Sequence, residues 1–350
     1  MPSSAPSRGA DMADTELISH DLPRSGAVSG ALAITTVLGA MAVGPASPVA
    51  CAALFGLGRP RAAALLLGAI VASYSVRRYS PRFCRFYLGA AGWFASVTLH
   101  VERAVVAAFE QDDGSMWCYH PHGTSVGFGL SLNGAVRFKA ARPALYVPAA
   151  IAEQVNPARL AKGSGVQAQV LFQIPFLCAV LRAFGAATPA TKAGMLSLLR
   201  ARSDFGILPG GMEEVALYAR GRERVYLRRR AGFIKYALQH GYLLLLAYTF
   251  GECDVYNSLR AGAAARMAIV KKYGFVVPIF WGDCWWCPWL PRRDVPIHTV
   301  LGEPLQLPRI AEPTDAEVAH WHAQYIERLT ALFDRHKARF GYADRELEIF

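Results

Sequence analysis

Charge is scarce in this chain. Asp, Glu, Lys and Arg make up 18% of its 350 residues, whereas apolar types make up 53%, a balance poor in charge for a soluble globular protein and one that predicts contact with something apolar outside the core. From Ser25 to Gly58 there is no charged residue at all. The cysteines number seven, an odd count scattered along the chain, which argues against a disulfide framework and for a reducing compartment. Cys284-Trp285-Trp286-Cys287 lacks the second pair that a zinc site or ribbon uses. The first 24 residues carry Asp11, Asp14, Glu16 and Asp21 against Arg8 and Arg24, the wrong sign for a signal or transit peptide, so residues 1–24 read as a disordered cytosolic tail. A net charge of +11 suits anionic headgroups or phosphate-bearing substrates. No nucleic-acid module accompanies it, and no nucleic-acid partner, metal or resident cofactor is expected.

The uncharged run is long enough to span a bilayer, which takes roughly 20 apolar residues, although Pro45 and Pro48 must kink or break it. After Arg59-Pro60-Arg61, a shorter run from Ala62 to Val76 ends in Arg77 and Arg78. Residues 25–78 are therefore expected to form a transmembrane or re-entrant hairpin, the alternative being a buried soluble one. Arg77, Arg78, Arg82 and Arg85 outnumber Arg59 and Arg61, which places the following domain on the cytosolic face. Tyr79, Phe83, Phe86, Tyr87, Trp93 and Phe94 suit the headgroup level.

Beyond Val97, apolar runs of strand length alternate with helical periodicity. The fold class expected for residues 79–350 is α/β, a mostly parallel sheet flanked by helices. Strands are predicted near 115–119, 145–148, 205–208 and 243–250, with one or two more among 276–281 and 297–301. Helices are predicted over 126–137, 176–184, 191–201, 212–219, 231–239 and 315–339. Sheets of this kind carry their sites in loops at the carboxyl ends of strands.

Such a loop begins at Tyr119-His120-Pro121-His122-Gly123. Neutral imidazole is the side chain best matched to removing a proton near neutral pH. Pro121 restricts His120 and sends the two rings in different directions, and Gly123 lets the backbone approach a ligand closely. Three other readings stand beside this one. The histidines could be metal ligands, or a purely structural pair. Gly123-Thr124-Ser125-Val126-Gly127 also fits the G-x-S-x-G elbow of a serine hydrolase, but His-Pro-His intervenes between the strand and the first glycine.

Leu208-Pro209-Gly210-Gly211-Met212-Glu213-Glu214 again runs from a strand through a glycine turn into a helix. Its amides could form an oxyanion hole, and Glu214 could orient a catalytic histidine; alternatively the carboxylates only stabilise a helix start. Arg228, Arg229, Arg230 and Lys235 suit the phosphates of coenzyme A, an anionic bilayer, or a solvated face. Trp285, Trp286 and Trp289 beside Arg292-Arg293 look like an interfacial loop. The stretch from Glu317 to Phe340 reads as a surface helix.

With these residues laid out, the chain resembles the type-2 diacylglycerol acyltransferase family, which includes monoacylglycerol and wax-alcohol acyltransferases. The resemblance runs from about Arg77 onward. It rests on Tyr119-His120-Pro121-His122-Gly123, on Gly210-Gly211 with Glu214, on Arg228-Arg229-Arg230-Ala231-Gly232-Phe233-Ile234-Lys235, on Phe250-Gly251-Glu252, on Gly302-Glu303-Pro304, and on His336-Lys337 with Phe340-Gly341. The family usually has a basic residue where Ala231 stands, a Gly-Arg pair where Gly282-Asp283 stands, and no Cys-Trp-Trp-Cys insertion. The aspartate that related glycerol-phosphate acyltransferases place five residues after the histidine is Ser125 or Gly127 here. The resemblance implies an endoplasmic-reticulum enzyme associated with lipid droplets, with acyl-CoA as co-substrate and diacylglycerol or a related lipid alcohol as acceptor. A homo-oligomer is allowed. The expected catalytic residues are His120, His122 and Glu214, with Gly123, Gly210 and Gly211 at the oxyanion and Arg228, Arg229, Arg230 and Lys235 on acyl-CoA.

Overall fold

A computed structural model describes residues 17–76, 79–109, 114–124, 126–139, 163–185, 188–259, 261–276 and 279–350. Ser125, Arg77, Arg78 and the strand expected near 145–148 lie outside the described residues.

The strands are β1 (Leu17–Asp21), β2 (Ser96–Glu102), β3 (Ser115–His120), β4 (Ser164–Gln167), β5 (Thr188–Pro189), β6 (Phe205–Ile207), β7 (Glu223–Val225), β8 (Leu243–Phe250), β9 (Asn257–Ser258), β10 (Phe280–Trp281), β11 (Pro296–Leu301), β12 (Leu305–Gln306) and β13 (Leu347–Ile349). The helices are α1 (Ala27–Gly56), α2 (Pro60–Ser75), α3 (Pro81–Leu88), α4 (Arg103–Phe109), α5 (Phe128–Asn133), α6 (Ala135–Lys139), α7 (Leu177–Ala183), α8 (Lys192–Arg200), α9 (Gly211–Leu217), α10 (Gly232–His240), α11 (Ala263–Tyr273) and α12 (Asp315–His336).

The central sheet runs β1-β2-β11-β8-β3-β6-β4-β5, with β12 also paired to β8. One half, β8-β3-β6-β4-β5, is parallel, as alternation of strands and helices predicts. The other half is mixed, because β11 runs antiparallel to β8 and β1 antiparallel to β2. Within β3, Met116 and Cys118 face a cluster with Tyr248, Tyr325 and Phe333, while Trp117 and Tyr119 face the opposite one. This period of 2 delivers His120 to the α12 side of the sheet.

Two expectations are corrected here. The tail expected to be disordered contains an ordered edge strand: β1 pairs along β2, and Thr98 donates to the Asp21 carboxylate at 2.5 Å. The apolar helices α1 and α2 therefore form an insertion between the first two strands of one sheet. The helix predicted over 126–137 is two short helices separated at Gly134, whose φ of −99° and ψ of −148° are not helical.

Pro45 and Pro48 do not break the first apolar segment, which is one 30-residue helix, long and apolar enough to cross a membrane. Pro48 cannot donate to the Gly44 carbonyl, and the Ser47 hydroxyl donates to it instead at 2.8 Å. Thr35 and Thr36 likewise spend their hydroxyls on the carbonyls of Ala31 and Leu32, each at 2.8 Å. After a short turn, α2 returns along α1: Cys51 meets the Ala63 carbonyl, while Gly44 and Ser73 both reach the segment 174–178. Helix α1 docks on the domain through two glycines, one near its start and one past its middle. A Cβ on Gly30 would lie 2.6 Å from the Trp93 amide nitrogen, and one on Gly44 would strike Ile174 and the Pro175 carbonyl.

Gly30→Val and Gly44→Val should each destabilise the detergent-solubilised protein by about 1–3 kcal/mol through overpacking. Gly39, with open space around it, serves as control. Thermal unfolding of the three variants checks this, and equal melting temperatures would refute it.

Candidate active site

Three loops meet at the carboxyl ends of neighbouring strands: Pro121–Gly127 after β3, Leu208–Gly210 after β6, and Gly251-Glu252 after β8. His120, the last residue of β3, is fully buried, and its Nε2 shares a 2.8 Å hydrogen bond with the Tyr325 hydroxyl. Its Nδ1 has no hydrogen-bond partner among the described residues. Burial pushes its pKa down to about 3, so the ring is neutral at physiological pH. His122 is half-buried and lines a cleft of about 790 Å³ with Leu208, Gly211, Glu213, Arg229 and Arg230. Burial lowers its pKa to about 4, and its Nδ1 is likewise unpartnered.

Glu214 does not orient either imidazole. Its Oε1 accepts the His122 backbone N–H at 2.5 Å and its Oε2 accepts the Tyr226 backbone N–H at 2.8 Å. The expected carboxylate–imidazole contact is thus replaced by a grip on the main chain, because Glu214 sits in the first turn of α9, against the backbone of the histidine loop. Glu252 does the same on the other side, accepting from the backbone N–H groups of Phe128 at 3.0 Å and Gly129 at 2.7 Å at the start of α5. Burial raises both carboxyls to about 7 against the lowering effect of these amides.

The glycines acquire new roles. A Cβ on Gly123, which has φ of +74°, would collide with the Glu252 carboxylate, and one on Gly210 with the Glu214 carboxylate. Each glycine makes room for a buried acid. The amide of Gly211 is spent on the Leu208 carbonyl at 3.1 Å, so the expected oxyanion role does not fit it.

The basic cluster divides. Arg229 and Arg230 line the cleft with His122, and Arg230 is paired with Glu213. Arg228 points elsewhere, its Nε donating to the Ile349 carbonyl at 3.0 Å. Lys235 is exposed on α10 and is not among the residues lining the cleft. Sequence reasoning missed two groups. Glu252 stands in the sequence only as the end of the Phe250-Gly251-Glu252 motif, with no role attached to it. Tyr325 lies on the helix read as a surface helix, 205 residues from His120; the one available signal was the polar tip of a tyrosine in the apolar stripe of α12.

Residues 155–350 match the model of a family described as diacylglycerol acyltransferase. Diacylglycerol O-acyltransferase 1 of Eremothecium gossypii is 32% identical over 244 residues, covering 66% of this chain and 49% of that protein. Acyl-CoA wax alcohol acyltransferase 1 of Homo sapiens is 33% identical over 187 residues, 51% of this chain and 57% of that one. Diacylglycerol O-acyltransferase 2 of Bos taurus is 39% identical over 152 residues, 40% of this chain and 41% of that one. The chain spans about half the length of these curated relatives.

Glu214→Gln and Glu252→Gln should each cost about 1–3 kcal/mol of stability, since an amide NH2 would then face one of two backbone N–H donors. Chemical unfolding checks this, with Glu213→Gln, on the cleft surface, as comparison. Unchanged unfolding midpoints would show that the two grips contribute nothing.

Proposed function

The chain belongs to the diacylglycerol acyltransferase family, and on that premise we propose that it transfers an acyl group from acyl-CoA to the hydroxyl of diacylglycerol, with His122 as the base. The observation that carries this reading is the placement of His122 on the wall of the same cleft as Arg229 and Arg230. Guanidinium groups suit the phosphates of coenzyme A, and His122 stands on the wall of the cleft along which such a substrate would lie. His120 is enclosed by the sheet and α12, so it supports the loop through Tyr325 rather than meeting substrate.

In the proposed step the acceptor oxygen attacks the thioester carbonyl as His122 takes the hydroxyl proton. The new C–O bond forms, the C–S bond breaks, and the proton passes to the departing thiolate, giving coenzyme A and the ester. The imidazole is neutral at physiological pH, as a base must be. We assign the oxyanion to the Gly123 amide; one such donor contributes about 2.7–4 kcal/mol in other enzymes.

The acceptor is supplied from a membrane. Helix α1 leaves Val43, Val49 and Phe55 exposed, and α2 leaves Leu65, Leu67 and Val71 exposed. In water these surfaces would be unfavourable; as a membrane hairpin they are solvated by lipid. Trp285, at 90% exposure, and Trp286 and Trp289 extend the apolar surface on a separate loop. The endoplasmic reticulum with the domain on its cytosolic face, and lipid droplets derived from it, are the compartments this reading implies.

Membranes from a triacylglycerol-deficient host expressing the chain should convert labelled oleoyl-CoA and diacylglycerol to triacylglycerol. His122→Ala should lower the rate by about 10²–10⁴. Ser125→Ala should keep most of it. Parallel incubations with monoacylglycerol and a long-chain alcohol name the acceptor. No labelled acceptor at comparable protein levels, together with hydrolysis of an ester substrate that depends on Ser125, would replace this reading with that of a serine hydrolase.

A further inference from the structure

Strand β13 and Phe350 take no part in the central sheet. They pair instead with the segment that carries the cleft arginines. Leu347, Glu348 and Ile349 lie in parallel register with Glu223, Arg224 and Val225. Beyond the ladder, Phe350 donates to the Val225 carbonyl at 2.9 Å and its own carbonyl accepts from Leu227 at 2.9 Å and Arg228 at 2.7 Å. Arg228 adds its Nε to the Ile349 carbonyl, Glu348 pairs with Arg222 and Arg224, and Arg345 pairs with Glu223 at 2.7 Å and Asp254 at 2.8 Å.

Tyr226 sits between two residues held in this way, Val225 and Leu227. Its amide is the one that Glu214 accepts, and the other oxygen of Glu214 holds the His122 amide. Arg229 and Arg230 follow at once and line the cleft. The fastened backbone thus joins β13 to both the arginines and the histidine loop without a side chain of β13 reaching substrate.

We propose that β13 and Phe350 are positioning residues that hold the arginine segment in register with the cleft and so set its affinity for acyl-CoA. The inference rests on the function proposed above. Arg228, expected to bind acyl-CoA, belongs to this clamp.

The test uses the full chain in nanodiscs, compared with a form lacking residues 347–350 and with Phe350→Pro, which removes the N–H bonded to Val225 together with the ring beside Arg224; Phe350→Ala, which removes the ring alone, is its control. Expected is a rise of roughly tenfold or more in KM for oleoyl-CoA, with KM for the lipid acceptor little changed and kcat falling less than KM rises. A merely structural strand would lower the amount of active enzyme at unchanged KM, and that result overturns the proposal. If the shortened form does not accumulate, Phe350→Pro decides alone. Hydrogen exchange supplies a readout independent of turnover: amides 226–230 and that of His122 should exchange faster in the variants. Should the wild type transfer no acyl group, the functional reading falls, and the exchange result still decides whether the clamp exists; unchanged exchange refutes it.

Discussion

The carboxylate of Glu214 joins three stretches that are far apart in the chain. It stands in the first turn of α9, holds the backbone of His122 with one oxygen and that of Tyr226 with the other. Removing it would release the histidine loop and the arginine segment from each other at the same time. A buried carboxylate is costly, and two amide donors are the compensation that makes its ionised form tolerable. Gly210 is part of that arrangement, because any side chain there would occupy the space of the carboxylate.

Glu252 repeats the device on the opposite side of the loop. It caps the first amides of α5 and lies against Gly123. The segment from His120 to Gly129 is therefore held at both ends by acids whose partners are main chain. This explains why the expected carboxylate–imidazole pair is missing: the acids fix where the backbone goes, and the rings are aimed by it. His120 is then tied from a third direction by Tyr325, leaving His122 as the ring at the cleft.

Much of this was legible in the sequence, and the remainder was not for identifiable reasons. β3 and β8 are uninterrupted apolar runs, so their extents and the position of the loop after β3 could be read directly. Helix α10 ends where Gly241 adopts a left-handed conformation, φ 59° and ψ 49°, the stop that its glycine signalled. Tyr325 could not be read, because its role depends on which face of the sheet α12 covers. The residues of β1 look like any polar segment, since an edge strand of five residues with one covered side carries little periodicity. The arginines formed one cluster in sequence, whereas β13, more than a hundred residues later, divides them into a clamp residue and cleft residues.

The insertion of α1 and α2 between β1 and β2 ties the apolar part of the chain to the site. Val37 and Met41 of α1 share an apolar cavity of about 90 Å³ with Val126, Leu130, Leu177 and Gln167. Gln167 also lines the cleft that holds His122 and the arginines. On the proposed reading the two substrates differ in kind, a water-soluble thioester bearing phosphates and a lipid that stays in the bilayer. The basic cleft and the α1 side meet across β4 and the residues after His122, so each substrate can arrive through surroundings that match it. Because β1 is an edge strand of the central sheet, α1 is anchored at its start by the sheet and along its length by Trp93 at Gly30 and Pro175 at Gly44. The apolar helices are therefore built into the domain rather than tethered beside it.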